Sequence, residues 1–185
     1  LSEPVQVEEI YVYMQTNYGT SVTPFYTTLA LWVGGIVLVA LMKVKVDYED
    51  DEFKDATEHQ KYMGRALLFL AMGQLQALVV VLGDLYILKI DCTHPFMLWL
   101  AAAITSFVFT LFIYTLVLTF GDLGKAIAVV MIVLQIAGSG GTYPIELLPE
   151  FFQNVYLYFP FPYAINAMRE AISGLYQCDY AVFLV

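Results

Sequence analysis

The sequence predicts an all-α, polytopic membrane protein: four transmembrane helices plus an outer re-entrant helical hairpin, with the start of a further span. Three observations predict it. Of the 185 residues 60% are apolar and only 14% charged, with a mean hydropathy of +0.71. The apolar residues fall in long unbroken runs, the signature of membrane helices rather than of alternating strands. Finally, the stretch 138–174 follows directly on such a run but carries Pro144, Pro149, Pro160 and Pro162, so it can neither continue that helix nor form another full span.

In chain order, residues 1–23 are polar and mixed and read as the end of an extracellular region, with 24–185 as the membrane domain. Asn17-Tyr18-Gly19 is a turn signal, and Pro24 suits a first helical turn. The first span is expected over 25–42, closed by Lys43 and Lys45. Residues 43–65 are hydrophilic and read as a solvated loop with a short helix. The second span is expected over 66–88, then a polar turn at 89–95. The third covers 96–120, with Trp99 as an interfacial aromatic. A tight connection at 121–125 leads to the fourth, 126–141.

The hairpin occupies 144–176. Apolar residues recur at helical spacing at Leu148, Phe151, Phe152, Val155, Tyr158 and Phe159, and again at Ile165, Met168, Ile172 and Leu175, with Pro160 and Pro162 between the two runs. Each run is about a dozen residues, whereas a crossing takes roughly 20. The two short helices therefore lie in, or dip into, one face of the membrane. Backbone that turns at this depth is tolerated only where protein or a watery cavity satisfies it. The chain opens without a methionine and stops as a new apolar run, 181–185, begins, so further sequence is expected at both ends.

Orientation follows from Lys and Arg, because acids contribute little to the rule. Lys43, Lys45, Lys54, Lys61 and Arg65 lie in one loop and Lys125 in the next loop on the same side, against Lys89 and Arg169 opposite. This places 43–65 and 121–125 in the cytoplasm, and 1–23, 89–95 and the hairpin outside. The net charge of −9, with seven acids between Asp47 and Glu58, leaves no basic surface for nucleic acid.

Asp84 is the one acid within an apolar run, which makes it a functional candidate by position. At ~1.5 Å per residue from position 66 it stands close to the outer interface, within reach of water or Lys89. Gln74, Gln76 and Gln135 lie nearer mid-membrane and read either as hydrogen-bonding glue between helices or as pathway lining. Gly34-Gly35, Gly73 and Gly83 mark close helix approach. Arg169 and Glu170 are assigned to the polar side of the second hairpin helix, where Arg169 can meet a headgroup phosphate, Glu146, Glu150 or a substrate.

Enzyme signatures are missing: His59 and His94 fall on opposite sides of the membrane, and there is no HExxH helix, nucleophile elbow or P-loop. The chain is read as a non-enzyme without cofactor. Cys92 and Cys178 have no metal-ligand spacing; both fall on the outer side, as free thiols or as a disulfide.

Asn17-Tyr18-Gly19 and Thr23-Pro24-Phe25, with Leu31-Trp32-Val33-Gly34-Gly35 inside the span, resemble the C-terminal membrane domain of the YhgE/Pip (phage infection protein) family. Gly140-Gly141-Thr142-Tyr143-Pro144, Leu148-Pro149, Pro160-Phe161-Pro162-Tyr163 and Arg169 are similar to that family and, more loosely, to the hairpin before the last span of ABC-2 type transporter permeases. The resemblance covers essentially the whole chain.

It implies a permease-like fold in a larger protein of a Gram-positive cell membrane, whose relatives serve as phage receptors or in secretion systems. It also implies an outer hairpin over an exit path, placing a gate at Tyr143, Pro144, Pro149, Pro160, Pro162, Tyr163 and Arg169. A cytoplasmic loop touching a separate ATP-binding-cassette ATPase would include Lys43, Lys45, Lys61 and Arg65. A homodimer follows by analogy. The loop is acidic and shows no coupling-helix pattern, which keeps a second reading open: a non-transporting membrane anchor for phage or secretion-system partners.

Overall fold

The computed structural model describes residues 17–44, 57–141, 145–175 and 179–184. Within them the chain is all-helical. The helices are α1 (Tyr18–Leu41), α2 (Glu58–Leu82), α3 (Pro95–Phe120), α4 (Asp122–Gly138), α5 (Glu150–Val155), α6 (Pro160–Ser173) and α7 (Asp179–Leu184). A π turn, Gly83–Ile87, extends α2, and 3-10 turns at Ile145–Leu147 and Tyr156–Tyr158 flank α5.

Among the described residues three helical stretches are long and apolar enough to cross a membrane: Tyr18–Leu41, His59–Ile87 and Pro95–Phe120. The expected fourth span is the shortest and is not among these three. With 17 residues α4 rises only about 25 Å, against roughly 30 Å of hydrocarbon. Other boundaries also move. Asn17 caps α1 by accepting from Thr20 N, so the helix starts well before residue 25 and Pro24 lies inside it rather than in its first turn. Thr57 and Gln60 form a capping box that starts α2 within the expected loop, which puts Lys61 and Arg65 on the helix. The connection at 121–125 shrinks to Gly121, in a left-handed conformation (φ 62°), and 122–125 already belong to α4.

The three long helices pack through small residues and donated side-chain bonds. A Cβ at Gly73 would meet Thr110 Oγ1 at 2.5 Å, and Ser106 Oγ donates to Gly73 O at 2.7 Å. One at Gly35 would meet Ile113 at 2.9 Å, and one at Gly34 would overlap the Gln76 amide. Gly83 has open space where its Cβ would be; it starts the π turn instead of a close approach.

Around this bundle α4, α5 and α6 form the second part of the domain. Trp32, fully buried on α1, meets Phe109 and Phe112 of α3 and Phe161 of α6 with ring centroids 4.9, 5.9 and 5.8 Å away, and its Nε1 donates to Ala128 O of α4 at 3.2 Å. Phe161 stacks on Phe109. One side chain thus joins four helices.

Candidate functional site

The first run of the hairpin is not one helix of a dozen residues. It is the six-residue α5 with a 3-10 turn on each side. The second run is the 14-residue α6, and it dips far into the bundle. Its C-terminal end is bonded to the α2–α3 loop: Thr93 N donates to Ile172 O and His94 N to Ala171 O, both at 3.0 Å. Its N-terminal end reaches the Trp32 layer through Phe161. Trp32 stands about 21 Å along α1 from Tyr18, so α6 begins well inside the bundle and runs back to the end where the α2–α3 loop lies.

A helix start at that depth is costly, because the first four N–H groups have no intrahelical acceptor and hydrocarbon offers none. Pro160 and Pro162 occupy two of those four positions, and proline has no N–H to satisfy. Tyr163 closes the other side of the bend by donating its hydroxyl to Leu157 O at 3.0 Å. Pro149 precedes α5 as its N-cap residue. Pro160 and Tyr163 also line an apolar cavity of about 260 Å³ with Thr105, Val108 and Phe183. Tyr143 and Pro144 lie outside the described residues.

Arg169 is half-buried and donates to Asn166 Oδ1 at 3.1 Å. Glu170, expected on a polar face, is fully buried. The reason is packing: α6 inserts against α1, α3 and α7, so position 170 turns into the domain rather than to water.

The intramembrane polar residues separate into two kinds. Gln74 Nε2 donates to Ala103 O at 3.0 Å and Gln76 Nε2 to Ala30 O at 2.9 Å, tying α2 to both neighbours. Gln135 is fully buried, and neither its nitrogen nor its oxygen has a partner among the described residues. Asp84 is 7% exposed and accepts from the Thr27 hydroxyl at 2.6 Å. The π turn, closed by Leu88 N to Gly83 O, carries it against α1, so its described partner is Thr27 rather than Lys89 or open water.

Two loops meet at one end of the bundle, where Met42, Lys43 and Val44 share a cavity of about 380 Å³ with Gly121, Asp122 and Lys125. Lys125 pairs with Asp122 at 3.0 Å. At the other end Asn17 and Gly19 share a smaller cavity with Lys89 and Ile90. Lys45 and most of the acidic run, 45–56, lie outside the described residues. Cys92 donates its thiol toward Ala171 O at 3.6 Å, and burial pushes its pKa up against a smaller lowering by the His94 backbone. Cys178 lies outside the described residues.

What sequence reasoning missed is the Trp32 layer as the joint of the whole domain. A tryptophan inside an apolar span, two residues before a Gly-Gly pair, was the available signal.

With this geometry in place, two comparisons agree. The family model for ABC-2 family transporter proteins matches residues 57–182. The chain is also 31% identical over 173 residues to YhgE of Bacillus subtilis (strain 168), described as an uncharacterized protein, an alignment covering 94% of this chain and 22% of that relative. The chain thus spans 22% of the length of the curated relative it matches. No solved structure matches.

Proposed function

Because the chain belongs to the ABC-2 family of transporter membrane proteins, as a multi-pass domain of the YhgE-like kind, we propose that it is the permease part of an export system. It moves, or helps to move, an amphipathic or polymeric substrate across the membrane of a Gram-positive bacterium. The observation that carries this reading is α6, a buried helix that starts at the Trp32 layer inside the bundle and runs back to the end where the α2–α3 loop lies. Non-spanning backbone is tolerated at that depth only inside protein or beside a water-filled path, and a pure anchor has no use for it.

In this reading 43–65 and 121–125 face the cytoplasm, and the shared cavity of Lys43 and Lys125 supports placing them on one side. The hairpin and 89–95 face outward, α5 and α6 cap the exit, and Pro149, Pro160, Pro162, Tyr163 and Arg169 shape that cap together with Tyr143 and Pro144. Energy comes from a separate ATP-binding-cassette subunit docked near Lys43, Lys61 and Arg65, and the domain works as a homodimer. The second reading, a membrane anchor for phage or secretion-system proteins, is favoured by one fact: most of the YhgE relative's length lies outside the aligned region.

Affinity purification of the full-length protein in mild detergent decides between them. An ATPase subunit that co-purifies, and is lost when 47–58 is replaced by a neutral linker, supports the permease. A well-folded protein that brings down no ATPase overturns it in favour of the anchor.

A further inference from the structure

Gln135 has both polar side-chain atoms buried without a partner among the described residues, where Thr20 has one. Its amide is fully enclosed and makes no hydrogen bond to the described residues at either end. A buried polar group left without a partner forfeits its hydration outright, and Gln74 and Gln76 show that this domain can satisfy an amide where it needs to.

Its surroundings are closed from below and above. Seven residues down α4, Ala128 O is held by Trp32 Nε1. Above it, a Cβ at Gly138 would meet Phe152 at 3.0 Å, and one at Gly141 would meet Phe25 at 2.5 Å and Ile165 at 3.1 Å. The inward face of α4, made by Gly124, Ala128, Ile132, Gln135 and Gly138, therefore presses its one amide into a tightly packed seam.

The helix that carries this amide is also the one with glycine joints at both ends. Gly121 before it and Gly140 after it take φ values of 62° and 63°, and α4, with 17 residues, is at the short end of the spanning range. We propose that α4 is a moving wall with two positions, and that Gln135 holds the balance between them. In the position seen here the seam is shut and the amide unsatisfied. In the other, α4 tilts about its glycine joints, the seam opens above the Trp32 layer, and the amide is wetted. The proposal does not rest on the export reading, because the balance exists without substrate or ATPase.

The test uses the full-length protein in lipid nanodiscs with Cys92→Ser and Cys178→Ser. Ser139→Cys reports on the seam, since Ser139 is 3% exposed in the shut position. Labelling by a membrane-impermeant maleimide measures opening, and thermal unfolding measures stability, for Gln135 and for Gln135→Met and Gln135→Leu. Removing an unsatisfied polar group should favour the shut state by about tenfold or more. At least one apolar variant should then label about tenfold more slowly while unfolding at a higher temperature. If neither variant does both, the amide is satisfied in the shut state or α4 does not move, and the proposal is overturned.

Discussion

The bundle of α1, α2 and α3 and the group of α4, α5 and α6 solve the same problem in opposite ways. In the first, each helix is long, glycines and alanines bring the axes close, and Gln74, Gln76 and Ser106 donate to backbone carbonyls of the next helix. In the second, the helices are short, two prolines delete donors that nothing could accept, and one amide is left unsatisfied. The satisfaction of the first region is not complete, since Thr20 Oγ1 of α1 is also buried without a partner among the described residues, but its glutamine amides are all bonded. If α4 moves as proposed, an amide not tied to one arrangement suits it better than a scaffold's bonds would.

The two regions meet at Trp32, and removing that joint has the largest expected effect. Trp32→Ala leaves a cavity among Phe109, Phe112 and Phe161 and frees the Ala128 carbonyl, and should lower stability by about 3–5 kcal/mol. Unfolding titrations in mixed micelles should register it as one cooperative loss. Two separate transitions, with α1 to α3 unaffected, would break the idea that the regions share a joint.

A smaller effect sharpens the contrast. If α6 starts in hydrocarbon, replacing both Pro160 and Pro162 by alanine adds two N–H groups without acceptors and should cost about 1–3 kcal/mol each. At a solvated helix start the same exchange would be neutral or stabilising, because alanine is the better helix former. The sign of the change in unfolding free energy therefore reports the depth of α6.

The smallest effect is expected inside the scaffold. Gly34→Ala displaces the Gln76 amide from Ala30 O, and should cost about 1–2 kcal/mol. Gln76→Ala removes the obstruction, so the double variant should cost less than the sum of the two single ones. Strict additivity would mean that the two residues do not meet.

Much of the scaffold was legible from sequence because length, hydropathy and proline position are local properties. The three long helices, the break at Pro160 and Pro162, and the close approaches at Gly34, Gly35 and Gly73 follow from them. The start of α2 was written in Thr57 and Gln60 as a capping box, but the surrounding charges resemble a solvated loop. The fourth span is less clear for a different reason. The apolar pattern persists through 126–141, yet the glycines after Gln135 end the helix at Gly138, at the short end of the length a crossing takes. The candidate site was least legible, since burial of Glu170 depends on α6 entering the bundle. Whether a glutamine finds a partner likewise depends on what another helix presents: Gln76 met a bare carbonyl beside Gly34, and Gln135 met none.

The joint between the hairpin and the α2–α3 loop is made chiefly by main-chain atoms, with Thr93 and His94 donating to the last carbonyls of α6 and the Cys92 thiol adding a long side-chain bond. A hinge of this kind is invisible to side-chain scanning, since any residue other than proline supplies the same N–H. Alanine replacements along 93–94 would leave it intact while a proline at either position would sever it, so an alanine map there would record indifference where the end of α6 is moored to the loop.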